Sequence, residues 1–218
     1  MTQSKVKLVW ATPDIDANLA YIARVSNPAN QANESIQGLL RYMMREGHVS
    51  PFDMANFTVE INTTRDIGRQ FLRHWSIKPQ EFSQRYQSVD TLGAVELREF
   101  RLQHPKNRQA SISVPEDHEL ALEWAERQRA VLECVNEHYE WCLSVGGAKE
   151  VARVVLPEGL TNSRLYFNGT IRSWIHYLQS RLHISTQKEH RLIAAEVLEV
   201  FRVVAPIVAE TFFPVEIL

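Results

Sequence analysis

Apolar and polar positions along this chain follow two periods. Phe57, Val59 and Ile61 alternate with Thr58, Glu60 and Asn62, the two-residue period of a strand with one wet face. Lys5 to Trp10 reads as a second short strand, ended by Thr12-Pro13-Asp14, and Leu165 to Phe167 as a third. The helical period appears from Asp16 to Val25, with Leu19, Ile22 and Ala23 on one face before Ser26-Asn27-Pro28 breaks it. Leu39, Leu40, Met43 and Met44 mark a helix that stops at Gly47, and Ile67, Phe71 and Leu72 the buried side of another from Thr64 to about His74. Pro115-Glu116-Asp117 opens a long pattern through Leu122, Trp124, Val131, Val135, Tyr139 and Cys142 to Gly146-Gly147. Lys149 to Leu156, Ile171 to Arg181 and Lys188 to Val204 complete the helices, while residues 87 to 114 carry no period and read as irregular. With no repeat or linker in sight, the pattern predicts one α+β domain over residues 1–218.

Composition changes this picture little. The chain is 44% apolar and 23% charged, as soluble globular proteins are. Its net charge of −2 gives the whole molecule no electrostatic reason to seek nucleic acid or an anionic membrane. Any anion site must therefore be local. The start, MTQSKVKLVWATPD, shows no signal-peptide pattern, and no apolar run has membrane-spanning length. Cys134 and Cys142 are eight apart on one helix, roughly 12 Å, which is too far to bridge. Both read as reduced packing residues of a cytoplasmic protein.

The candidate chemistry lies in residues 69 to 86, RQFLRHWSIKPQEFSQRY. Arg69, Arg73, His74, Lys78 and Arg85 stand there beside a single carboxylate, Glu81. On a helix Gln70, Arg73 and His74 share a face, being three and four apart. If the chain then extends, Glu81, Ser83 and Arg85 point the same way. An acceptor, a hydroxyl and a guanidinium on one edge suit a nucleotide, though a solvated basic face is the plainer reading.

A second group is Arg172, His176 and Arg181. The first two are one helical turn apart, and a cation at the helix end also suits the dipole. Arg153, flanked by apolar residues, calls for a buried partner or an anionic ligand. His176, His183 and His190 recur every seven residues, but a breaker interrupts them and no acidic ligand joins them, so no metal site is expected. There is no GxGxxG or GKS phosphate loop and no cysteine placed as a nucleophile. An RNA-binding module is disfavoured, for want of an aromatic stacking platform.

The string RHW-SIKPQEFSQRY resembles the signature of the flavin-dependent thymidylate synthases: Arg-His-Arg, two variable residues, Ser, one variable, Asn-Glu, one variable, Ser, one variable, Arg-Tyr. Arg73, His74, Glu81, Ser83, Arg85 and Tyr86 fall on it in register. AYIARVSNP at 20–28, EGHVSPFD at 46–53, EVARVVLP at 150–157 and GTIRSWIHYLQSR at 169–181 continue the resemblance in the family's order. The wording QEFSQRY and PKNRQ is closest to viral and phage-type members. Trp75, Lys78 and Gln80 depart from the signature, standing where it has Arg, Ser and Asn.

The resemblance implies a central, mostly antiparallel sheet flanked by helices, in a homotetramer with active sites at subunit contacts. It implies FAD as cofactor, NADPH and methylenetetrahydrofolate as co-substrates, and C5-methylation of dUMP to dTMP. Carried over position by position, Gln70, Arg73, Glu81, Ser83, Gln84, Arg85, Arg153 and Arg181 would hold dUMP, and Arg181 would favour the ionised pyrimidine N3. Ser26, Arg73, His74, Trp75, Glu81, Arg172 and His176 would contact FAD, and His48 and Ser50 would face folate or NADPH. Two further readings stay open: an enzyme retuned to dCMP or to a hydroxymethyl product, and a non-catalytic nucleotide-binding homologue.

Overall fold

The computed structural model describes residues 5–214, so the outermost residues of the expected 1–218 unit lie outside the described residues. In chain order come β1 (Val6–Ala11), α1 (Ile15–Ala23), α2 (Gln37–Arg45), β2 (Asn56–Thr64), α3 (Arg65–Phe71), β3 (Lys78–Glu81), β4 (Arg101–Gln103) and β5 (Ser111–Ser113). They are followed by α4 (Glu119–Ser144), α5 (Lys149–Ala152), β6 (Asn162–Thr170), α6 (Ile171–Arg181), α7 (Lys188–Val204) and α8 (Pro206–Phe212). The main sheet has the order β1-β2-β6-β3 and every pairing in it is antiparallel. This is the expected α+β class.

The β2–β6 ladder is the axis of the fold. Phe57, Val59 and Ile61 stand opposite Gly169, Phe167 and Leu165, and all of them face the core. The other face is the wet one. Arg164 donates to Asn62, Tyr166 to Glu60 and Asn168 to Thr58 across the strands, at 2.9, 2.7 and 2.7 Å. Gly169 has a steric reason to be glycine, because a Cβ there would stand 3.0 Å from the Trp174 ring. That close approach lets Trp174 stack on Phe57 at 4.8 Å and donate to the Phe57 carbonyl.

Helices α6 and α7 cover the inner face. In α7 the buried positions are His190, Ile193, Ala194, Val197, Leu198 and Phe201, an unbroken helical period. Phe71 joins the layers, stacking on Phe167 at 4.7 Å and Tyr177 at 5.0 Å. Long helix α4 is different: among its described residues only Gln128 and Tyr139 are buried, while Leu122, Val131 and Trp141 are exposed. Gln128 ties it to the chain by bonding both the N–H and the carbonyl of Arg98.

Several expectations change. The helix expected to reach His74 ends at Phe71, and Leu72 is exposed rather than buried. The chain must turn there to return as edge strand β3, and Pro79 disfavours helix in the residue before it. The extended run expected through Arg85 stops at Glu81; a turn closed by Tyr86 N–H to the Ser83 carbonyl follows. Residues 87 to 114 hold the β4–β5 hairpin, with HPKNRQ as its loop. Helix α4 begins not at Pro115 but after His118, whose Nδ1 accepts from Leu120 N–H. Only Lys149–Ala152 of the expected 149–156 helix is α-helical; a 3₁₀ turn completes it. Strand β6 is far longer than Leu165 to Phe167. Helix α8 was hidden behind Pro206, which opens it, and the Asp16 carboxylate caps it by accepting from Ile207 N–H at 2.7 Å. Both thiols are free, but Cys134 is exposed rather than part of the core.

Candidate functional site

The structure carries one part of the 69–86 string into the interior and leaves the other outside. Gln70, near the end of α3, is half-buried and turns toward α7. Arg73 lies on the turn after α3, exposed, and makes no hydrogen bond or ion pair among the described residues. Trp75 is 83% exposed at the tip of that turn, and the Lys78 ammonium folds back on its carbonyl at 2.8 Å.

His74 and Arg181 meet. The Arg181 Nε donates to His74 Nε2 at 2.8 Å, which requires a neutral imidazole carrying its proton on Nδ1. Burial lowers the His74 pKa to about 4, helped by the positive charges of Arg181 and His176. The His176 ring is 6.4 Å from that of His74. Arg172 stands at the opposite end of α6, nine residues or roughly 14 Å from Arg181. There it pairs with Asp53 at 3.0 Å, so the group 172–176–181 is a line along a helix rather than a cluster.

The remaining candidates divide in the same way. Glu81 accepts from Arg65 at 3.2 Å and from Ser163 at 2.9 Å, both onto Oε1, leaving Oε2 free. Ser83 is exposed and its hydroxyl has no partner among the described residues, while Arg85 pairs with Glu150 of α5 at 3.1 Å. That pair joins the 83–86 turn to the segment bearing Arg153. Arg153 itself is half-exposed and finds no acidic partner among the described residues, so the buried-partner reading of it does not hold. Gln84 is buried with its Nε2 unpaired, a donor that costs about 1–3 kcal/mol until an acceptor reaches it. Ser26, His48 and Ser50 are exposed, and Asp53, at the end of the turn that begins with Ser50, links that segment to Arg172 and Thr170.

Sequence reasoning passed over the groups that hold these residues. Glu150, Asp53, Ser163, Gln187 and Tyr177 all contact candidates, or flank them, without having drawn notice. His190 carried a readable signal: it occupies a core position of the α7 period and is fully buried. Among the described residues no group of three or more His, Cys, Asp or Glu could hold a metal ion.

None of these candidates lines a cavity of about 750 Å³ that opens over the wet face of the sheet. Most of its bases are met by its own acids: Lys5 with Glu96 at 2.6 Å, Lys188 with Glu99 at 2.7 Å and Arg98 with Glu189 at 3.2 Å. A neutralised cavity has little to offer a phosphate. Arg73, Arg153 and Gln84 have donors to spare.

Comparison with known proteins identifies the family of the chain. The family model described as thymidylate synthase complementing protein matches residues 7–207. The flavin-dependent thymidylate synthase of Synechocystis is 45% identical over 192 residues, covering 88% of this chain and 86% of the relative. A probable flavin-dependent thymidylate synthase of Paramecium bursaria Chlorella virus 1 is 44% identical over 185 residues, with 84% and 83% covered. Among solved structures, the UMP/dUMP methylase PolB from Streptomyces cacaoi bound with 5-Br UMP superposes with a TM-score of 0.81 at 29% identity, covering 95% of this chain and 92% of that one.

Proposed function

This chain belongs to the flavin-dependent thymidylate synthase family, and from that premise we propose that it methylates C5 of dUMP to give dTMP. It is an enzyme of the methyltransferase type with a flavin cofactor. We take the flavin to be FAD, the carbon donor methylenetetrahydrofolate and the reductant NADPH. With a proton consumed, the products are dTMP, tetrahydrofolate and NADP⁺.

The observation that carries this reading is the unpaired donor set on the matched segments: Arg73, Arg153, the Nη groups of Arg181 and the buried Gln84 amide. Arg73, Arg153, Arg85 and Ser83 suit the phosphate and sugar, with Gln70, Gln84 and the free Oε2 of Glu81 beside them. Arg85 and Arg172 hold exposed carboxylates that a phosphate could replace. Because His74 occupies its Nε, the Arg181 guanidinium has a fixed plane and keeps both Nη groups for the nucleotide. A fixed cation at N3 stabilises the ionised pyrimidine and makes C5 nucleophilic. His74, held neutral, can accept from Arg181 without repelling it.

The residues present also fit FAD. Arg172, His176, the Nδ1–H of His74 and Arg73 form an elongated line of donors along α6 and the 72–77 turn, matched to a diphosphate-bearing ligand. Trp75 projects an uncovered aromatic face that can stack on a flavin or adenine ring. Ser26 is assigned to FAD on the family resemblance alone. When bound, FAD supplies hydride transfer between the reductant and the carbon being delivered. His48 and Ser50 flank the side from which NADPH and the folate approach.

We read the assembly as a homotetramer. Several candidate residues, Arg73, Ser83, Arg85 and His176 among them, are exposed, and α4 exposes Leu122, Val131 and Trp141 for a neighbouring subunit. The exposed Cys134 thiol suits the reducing cytoplasm. No helix among the described residues is long and apolar enough to cross a membrane. Product mass spectrometry tests the activity. Incubation with FAD, NADPH, methylenetetrahydrofolate and dUMP should give dTMP. Turnover of dCMP, or a hydroxymethylated product, would overturn the substrate or product assigned; absence of turnover with a yellow, dUMP-binding protein would leave a non-catalytic homologue.

A further inference from the structure

Behind the proposed nucleotide site runs a chain of polar contacts in which only Gln70 has a candidate role. Arg101 Nη2 donates to Glu189 Oε1 at 2.6 Å, and Arg98 pairs with Glu189 Oε2 at 3.2 Å. Gln187 Nε2 donates to that same Oε2 at 2.9 Å. Gln70 Nε2 donates to Gln187 Oε1 at 2.7 Å, and Gln70 Oε1 lies 3.1 Å from His190 Nδ1.

The direction of each bond follows from the charged end. An arginine can only donate, and an ionised carboxylate can only accept. Glu189 stays ionised, because Arg101 and Gln187 hydrogen bonds and the Arg98 charge outweigh its burial and lower its pKa. Gln187 must therefore turn its NH₂ to Glu189 and its carbonyl to Gln70. Gln70 must turn its NH₂ to Gln187 and its carbonyl to His190. His190 Nδ1 must then carry a proton. Two ambiguous amide flips and one tautomer are settled by two arginines.

We propose that this relay locks the Gln70 amide for nucleotide recognition, with His190 as its positioning residue. Gln187 is the N-cap residue of α7 and His190 lies in its first turn, so the start of α7 grips both ends of the amide at once. Gln70 keeps one N–H and one carbonyl lone pair for a ligand, and the two cannot exchange places. His190 is itself immobile: fully buried, with its ring 4.4 Å from Phe71 and 5.7 Å from Tyr177. Its Nε2 and the Tyr177 hydroxyl, an acceptor and a donor in one apolar cluster, have no hydrogen-bond partner. Such cost is tolerated where geometry matters more than stability.

The inference rests on the reading that Gln70 touches dUMP, and a double-mutant cycle separates the two. His190→Phe keeps the ring stacked on Phe71 and removes the N–H. In the FAD-loaded enzyme it should weaken dUMP binding, measured by calorimetry, about three- to tenfold with kcat within about twofold. In a Gln70→Ala background the same change should have no further effect, since His190 acts only through Gln70. Gln187→Ala loosens the opposite end and should reproduce the loss if His190→Phe fails to fold. Histidine ¹⁵N spectra of the unsubstituted enzyme should show His190 protonated on Nδ1 alone. Equal effects of His190→Phe with and without Gln70, or a proton on Nε2, would overturn the proposal. If Gln70→Ala binds dUMP normally, the premise falls and the relay with it, while dTMP formation stands.

Discussion

The 750 Å³ cavity and the group of Arg73, Arg153 and Gln84 are both rich in polar groups, yet they offer a ligand opposite things. In the cavity Lys5, Arg98, Arg164 and Lys188 each meet a carboxylate of the same chain. On the surface Arg73 and Arg153 meet none among the described residues, and Gln84 keeps a buried donor unpaired. Volume alone would choose the cavity. Unspent hydrogen-bonding capacity chooses the surface, because a polyanion gains only where cations are not already neutralised.

The sharpest way to break this comparison is to remove the one cation given an electrostatic role. Arg181→Ala should lower kcat by about 100- to 1000-fold, the scale of one preorganised charge-stabilising donor. The flavin absorbance of the purified protein should persist, and near-normal turnover would refute the role. Next comes a paired test of the two regions. Arg73→Ala or Arg153→Ala should weaken dUMP about 10- to 100-fold by calorimetry, as loss of a charge-assisted bond implies. Arg164→Ala and Lys188→Ala in the cavity should change it less than about twofold.

Smaller effects sharpen the picture. Trp75→Ala should weaken FAD about two- to tenfold, as loss of ring stacking does, and leave dUMP affinity unchanged. The pH dependence of stability reports on the buried imidazoles behind the surface. Burial lowers His74 to about 4 and His190 to about 3, below the ordinary 6.5. Between about pH 6.5 and those values the unfolded chain binds protons that the folded chain refuses. Their contribution is therefore complete above pH 6.5 and is lost as pH falls. The urea midpoint should drop from pH 7 to pH 5, and His190→Phe should flatten that drop.

Much of this was legible in the sequence, and what was not has physical causes. Periodicity located α6 and α7 to the residue, because each buries one clean face against the sheet. It overran α3 by about one turn, since what ends that helix is the pairing of β3 with β6, a contact between distant segments. The β4–β5 hairpin was invisible because its strands are short and exposed, so no apolar face imposes a period. Charge and spacing pointed to Arg73, His74 and Arg181, but not to the His74–Arg181 bond, which joins residues 107 positions apart. His190 drew notice only in a metal-site spacing that was set aside; the fold shows it as a core histidine whose partner is Gln70.

Where the nucleotide sits is the question on which both regions turn, and photocrosslinking answers it directly. 5-Bromo-dUMP bound to the FAD-loaded protein and irradiated should form adducts on peptides spanning residues 69–86 or 149–181, suppressed by excess dUMP. Adducts confined to residues 92–99 or 188–193, around the large cavity, would contradict the assignment of the site to the unpaired cationic surface.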